Sequence, residues 1–507
     1  MLRSWLPSAP GAAPGPSTVR ALSAGAAACA AALVGSLVAR EPRFLHLGAS
    51  FDAHTAAALV LGLALSSLIL LHPGFGLALL SAFVYLNLSE VLVRQHQVPS
   101  LLQLLAVPLL LSAWLRRRGD ALRPLGRPLT LALGLYTLVL IVSTVLARDT
   151  ELADERVEDT LKALAVYMLV VLLAWSLPRI RRGVWTLLAS GSLLGAVVLA
   201  QALTGDFKNE YLGLGRIKYA QIYGDVFEPR LAGPLGDPNF FAQALVILVP
   251  LALAMAAEER RAWARAAALA AAGLVTAAVV LTYSRGGALA LACVLALSLL
   301  ARSARLKHLA VGTALIVVLA ALLPSAFARR LETIAEVLPG QGAVLRPDSS
   351  FEQRRLLTRV AWRIFLDHPL LGVGAGNYTL YFDDYAQDVG SLSREYEELG
   401  EQHYPHNLYL EIAAETGLVG LGAFGAAAAA CFAALRSARR ASLARGDTPS
   451  AALARAFQIA VVGYLLSSLF LHGHHIRYLW LLFGFAAALE QACAAGPPRV
   501  DRDVAHA

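Results

Sequence analysis

Charged side chains are scarce in this chain: Asp, Glu, Lys and Arg together make up 15% of 507 residues, against 57% hydrophobic ones. That balance excludes an ordinary soluble protein, because no soluble core of this size hides so much apolar surface from water. Cysteine is scarcer still. Cys29, Cys293, Cys431 and Cys493 lie in or beside apolar runs, without CxxC spacing and away from the polar stretches; they read as small packing residues rather than as a disulfide or metal framework. No internal repeat of fixed period is present, so solenoids and inverted-repeat transporters gain no support. The formal charge of +8 does not call for nucleic acid, because most arginines sit in short links between apolar runs, where membrane topology puts them.

A bilayer-crossing helix needs about 20 mostly apolar residues. Such runs occur at 21–39, 55–71, 74–92, 98–115, 128–147, 160–177, 184–204, 240–257, 266–283, 286–301, 308–326, 408–435, 456–471 and 477–494. The first follows a Pro, Ala and Gly-rich stretch and is longer than a signal-peptide core, so an uncleaved first helix is expected. Alternate links are arginine-rich: RRRGDALRPLGR, PRIRR, EERRAWAR, ARSARLKH and RSARRASLAR fall on one side. The other side receives the acidic RDTELADERVED and two long loops, 205–239 and 327–406. The expected fold is therefore all-α, a polytopic membrane protein of about 12–14 spans, with both termini cytoplasmic and the long loops outside. Three parts are expected: 1–326 with the first helices and loop 205–239, 327–406 as a large outer loop, and 407–507 with the last helices.

Loop 327–406 is no featureless linker. Its RRLLTRVAWRIFLDHPLLGVG segment has apolar positions at helical spacing, predicting an amphipathic interfacial helix with Trp362, Phe365 and Leu366 at headgroup depth and Arg359 and Arg363 reaching water or phosphate. Charged groups at span ends are costly and mark function. Arg285, in LTYSRGGALALA, stands in an outer link too short to form a loop, beside Gly286 and Gly287; a snorkelling arginine is the structural alternative. Arg230 precedes Asp237, Pro238 and Asn239 at a span start. Capping explains Asp237, whereas a guanidinium near a helix N-terminus makes an anion site. His406, in HYPHNLYLEIAAETGLVGLG, carries an imidazole suited to accepting a proton near neutrality. Glu411 and Glu415 follow it into the apolar zone, an expensive placement unless they are paired or hydrated.

In the order GDPNFFAQAL, TYSRGGALALA, DHPLLGVGAGNY and PHNLYLEIAAETGLVGLG, residues 200–435 resemble the O-antigen ligase and O-antigen polymerase superfamily. The resemblance implies a helical membrane glycosyltransferase, similar to other multi-span glycosyltransferases of the GT-C type, acting at the periplasmic face of a bacterial inner membrane. It implies that His406 is the essential outer-face base and that Arg285 and Arg230 hold the diphosphate of the carrier. The donor would be a glycan on undecaprenyl diphosphate, and the acceptor the lipid A core or another glycan. Transfer would invert configuration and use neither metal nor other cofactor. Arg354 and Arg355 offer a second phosphate contact, or simply meet headgroups; Asn239, Asn407 and Tyr378 border the motifs as candidate substrate contacts. Asp383 and Asp384 read as solvated loop residues. HGHHIRY holds His472, His474 and His475 at a spacing that suits no single helix face and has no neighbouring carboxylate in sequence, so no metal is expected there. The ligase reaction is the expectation, ahead of polymerase, protein O-glycosylation and the flipping of a lipid-linked glycan.

Overall fold

The computed structural model describes residues 53–96, 101–116, 123–223, 226–301, 349–388 and 403–494. The runs at 21–39 and 308–326 and the first part of the large loop lie outside the described residues. Every other expected span falls on helix, with 74–92 and 240–257 each divided between two helices. In chain order these are α1 (Ala53–Leu71), α2 (Pro73–Tyr85), α3 (Leu88–His96), α4 (Leu101–Arg116), α5 (Pro128–Ser143), α6 (Thr150–Leu173) and α7 (Leu177–Thr204). After a hairpin, β1 (Ile217–Tyr223) and β2 (Val226–Leu231), come α8 (Pro238–Val246), α9 (Leu248–Glu258), α10 (Ala262–Leu281) and α11 (Arg285–Leu300). The remainder is α12 (Ser349–Asp367), α13 (Tyr378–Asp388), α14 (Leu408–Ala444), α15 (Thr448–Ser467) and α16 (Arg477–Ala494).

Among the described residues, six helices are long and apolar enough to cross a membrane: Pro128–Leu146, Leu177–Thr204, Pro238–Glu258, Ala262–Leu281, Leu408–Ala444 and Thr448–Ser467. Helices α2 and α3 form a broken element bent by 59°. Several boundaries overrun the apolar stretch because a polar cap decides where a helix starts. Asp149 accepts the amides of Glu151 and Leu152, so α6 begins ten residues before the expected span.

Contacts between the links sort them into two ends. At one, Arg181 meets Glu259 at 3.3 Å and Arg127 meets Glu490 at 3.3 Å, and the Arg455 guanidinium donates to the carbonyl of Ala301. These are the arginine-rich links, gathered as the charge alternation requires. At the other end, Gln95 donates to Glu210, Asn377 bonds the backbone of Asp149, and the Leu408 amide donates to the Ser468 carbonyl at 2.9 Å. The hairpin belongs to this second end, termed here the hairpin end.

Helix α14 packs along α5, and α16 along α6, around a large apolar core. A smaller core roofs the hairpin end. There Leu356, Leu357, Val360, Ala361 and Ile364 of α12 pack on Tyr378, Phe382 and Ala386 of α13 and on Ala414 of α14. The opposite face of α12 leaves Trp362 and Leu366 each 50% exposed, the arrangement expected of a helix lying at an interface.

Candidate functional site

Two glycine-bearing phrases of the sequence become one joint in space. Helix α14 breaks at Gly417, whose φ of 62° and ψ of −160° are open only to glycine. The turn 369–377 docks into this break: Val373 donates to the Ala414 carbonyl at 3.0 Å, Gly374 to that of Glu415 at 2.9 Å, and Leu418 to that of Pro369 at 2.8 Å. Backbone groups freed by the break are thereby satisfied inside a buried region. A Cβ on Gly417 would collide with the backbone of Leu370, and one on Gly372 with that of Glu415. Asn377, fully buried, then clamps the turn to α6: it accepts the Asp149 amide at 2.8 Å and donates to the Asp149 carbonyl at 3.0 Å. The joint sets the position of residues 403–416.

The hairpin carries the cations. Lys218 on β1 pairs in register with Arg230 on β2, so both side chains leave one face of the ribbon, as does that of Arg216 two residues earlier. Arg230 is 5% exposed. Its Nε donates to the Thr282 carbonyl at 3.0 Å and its Nη2 to Asn239 Oδ1 at 3.1 Å. Thr282 opens the short turn before α11; Ser284 caps that helix through the Gly287 amide, and Arg285 is its first residue. Asp237 caps α8 through the amides of Asn239 and Phe240 and meets Lys218 at 3.3 Å. Burial alone would raise this carboxyl; Lys218 and the two amides outweigh it and hold the group below its ordinary value.

His406 lies within electrostatic reach of Lys218 and Asp237, in the left-handed region at φ 47°, a strained conformation for a residue other than glycine. Pro405 is buried before it, and Asn407 after it caps α14 through the amides of Tyr409 and Leu410. The His406 ring lies 5.1 Å from that of His472, edge to face, and the His472 ring lies 5.1 Å from that of Phe240. Tyr404 stacks on His472 at 4.4 Å. Since Phe240 follows Asn239, an unbroken run of contacts leads from Arg230 to His406. Gly286, next to Arg285, lies against Phe470 of the same link that carries His472. Burial, followed by the charges of Arg354 and Lys218, pushes the imidazole down to about 4, with Asp237 opposing. His406 is therefore neutral near pH 7, and its Nδ1 is buried without a hydrogen-bond partner.

Beneath this surface is a second polar cluster. Glu411 and Glu415 of α14 are 1% and 3% exposed and His474 is 1% exposed; one ligand atom from each lies within 4.8 Å of the others. Arg156 of α6 donates to the ring of His475 at 2.7 Å. The sequence offers no carboxylate beside the HGHH histidines; tertiary folding supplies two.

Arg230, Asn239 and the start of α11 are thus linked through Phe240 and the His472 ring to His406, on which Arg354 and Lys218 also act. Asn407 is committed to capping. Tyr378 is 1% exposed, and its hydroxyl donates to the Leu357 carbonyl at 2.8 Å, which supports α12. Arg355 is exposed on α12. Asp384 pairs with Arg148 at 2.7 Å, and His403 stacks on Phe382 at 4.3 Å, within the roof. Sequence reasoning missed Lys218, Arg216 and Arg156. The first two carried a usable signal, a basic residue at alternate positions of a β-branched and aromatic stretch; Arg156 was hidden in an acidic run.

Residues 269–425 match the model of the O-Antigen ligase family. A comparison with curated proteins gives no match. The matched segment includes Arg285, His406 and the Gly417 joint; the hairpin with Arg230 precedes it.

Proposed function

We propose that this multi-pass chain, whose residues 269–425 match the O-Antigen ligase family, transfers a glycan from undecaprenyl diphosphate to a hydroxyl of the lipid A core, at the periplasmic face of the inner membrane. The observation that carries the reading is the contact run from Arg230 through Asn239, Phe240 and His472 to His406. In this reading it joins a group of cations suited to a diphosphate to a neutral imidazole. The arginine-rich links at the opposite end favour the cytoplasm there, leaving the hairpin end outside.

In this reading the carrier diphosphate lies against Arg230, Arg285 and Lys218, and the polyprenyl tail stays in lipid. The acceptor hydroxyl gives its proton to His406 as its oxygen bonds the anomeric carbon, while the bond from that carbon to the phosphate oxygen breaks and configuration inverts. The diphosphate leaves as an anion, so its departure needs fixed positive charge rather than a proton. The two halves assist one another. Arg354 and Lys218 disfavour imidazolium in the free protein; a bound diphosphate offsets their charge and raises the proton affinity of His406 when substrate is in place.

The test is His406→Ala in cells, read on lipopolysaccharide gels and by assay of the lipid-linked donor. Bare core with finished polymer left on the outer-leaflet carrier is the expected outcome. Core capped by a single repeat would instead assign a polymerase, and donor retained on the inner leaflet would assign a flippase; unchanged lipopolysaccharide would remove His406 from any role.

A further inference from the structure

The buried cluster of Glu411, Glu415 and His474 is not used by the transfer chemistry, and its bonding is incomplete in a specific way. One oxygen of Glu411 accepts the Gly473 amide at 2.6 Å, and the amides of Gly376 and Tyr378 serve Glu415. Glu411 Oε1 and Glu415 Oε2 have no partner, and neither ring nitrogen of His474 has one. The hydroxyl of Tyr136, whose ring stands edge-on to His474 at 5.6 Å, is unpartnered as well. Arg156 Nη1 bonds the ring of His475, and its charge acts on both carboxylates. Two carboxylate oxygens and an imidazole thus converge in a buried site: the amides of Gly473 and of Gly376 and Tyr378 hold Glu411 and Glu415 respectively, and Trp480 Nε1 fixes the His474 backbone by donating to its carbonyl at 2.9 Å. Outer hydrogen bonds that hold ligating carboxylates in this way recur around protein metal sites.

We propose that Glu411, Glu415 and His474 bind one divalent transition-metal ion, of the Mn2+ or Zn2+ class that mixed carboxylate and imidazole ligands select. The ion ties the start of α14 to the link that carries His472, and so fixes His406 from below without touching substrate. Glu411 and Glu415 share a helix face at i, i+4; His474 comes from the far link, and the ion closes that join.

The experiment uses the full chain, purified without a histidine tag in detergent. Metal content by plasma mass spectrometry is expected to approach one equivalent per chain. Chelation by dipicolinate should lower the melting temperature, and Mn2+ or Zn2+ should restore it. Glu415→Gln and His474→Asn should each lose the equivalent. Wild-type protein with under about a tenth of an equivalent, and a melting temperature indifferent to chelator and to added metal, would overturn the proposal and leave a proton shared between the carboxylates. Metal retained by both variants would overturn it too, by placing the ion elsewhere. The wild-type arm decides even if a variant fails to fold.

Discussion

Replacing Gly417 by alanine tests how the site is held. The residue sits at φ 62° and ψ −160°, where a side chain costs about 1–3 kcal/mol in backbone strain. The new methyl would also collide with the backbone of Leu370, so the turn 369–377 must withdraw. With it would go the bonds from Leu418 to Pro369 and from Gly374 to Glu415, worth about 1 kcal/mol each when no water replaces them. The sum is about 3–5 kcal/mol, a factor on the order of 10² to 10³ or more between docked and undocked turn. Gly425, on the same helix with open space around it, is the control: alanine there should change stability by no more than about 1 kcal/mol, and in the stabilising direction. The assay is thermal melting in detergent followed by tryptophan fluorescence, with transfer activity measured alongside. Gly372→Ala should behave as Gly417→Ala does, and the double variant should lose little more than either alone, because both open one joint. If Gly417→Ala melts together with Gly425→Ala, the docking of turn 369–377 into the helix break is not what holds residues 403–416.

Arg230→Lys should lower kcat/KM by about 10- to 100-fold, because an ammonium cannot reach both the Thr282 carbonyl and Asn239 in the planar fork geometry; activity within threefold of the parent would remove that fork from the reaction. The acid limb of kcat/KM should lie below pH 6.5, since burial, Arg354 and Lys218 hold His406 down. Arg354→Gln removes a charge that opposes protonation and should move that limb to higher pH; a downward move would show that Arg354 does not act on the imidazole. In a reconstituted assay, His406→Gln should lose about 100- to 10,000-fold in turnover while its melting temperature stays near that of the parent, and a matching loss of stability would make the residue structural.

Much of this architecture is legible one residue at a time. Hydropathy locates the helices because lipid leaves a backbone no other partner than itself, and arginine alternation sorts the links into the two ends at which Arg127, Arg181 and Arg455 are found. Asp237 and Asn407 announce helix starts by residue type, and the two glycine-bearing phrases, GVGAGNY and ETGLVG, stand out before their contact is known. Their docking is a matter of tertiary structure, because each supplies the backbone bonds that the other lacks. The β-hairpin was hidden in what reads as a loop, where its Lys218 and Arg230 register depends on strand pairing rather than on composition. Helix α6 starts early because Asp149 caps it in the polar zone, where hydropathy is silent. The assembly of Arg156, Glu411, Glu415 and His474 joins residues from three distant segments. Periodicity sees only neighbours along one helix, so burial and charge balance at that site were decided by packing alone.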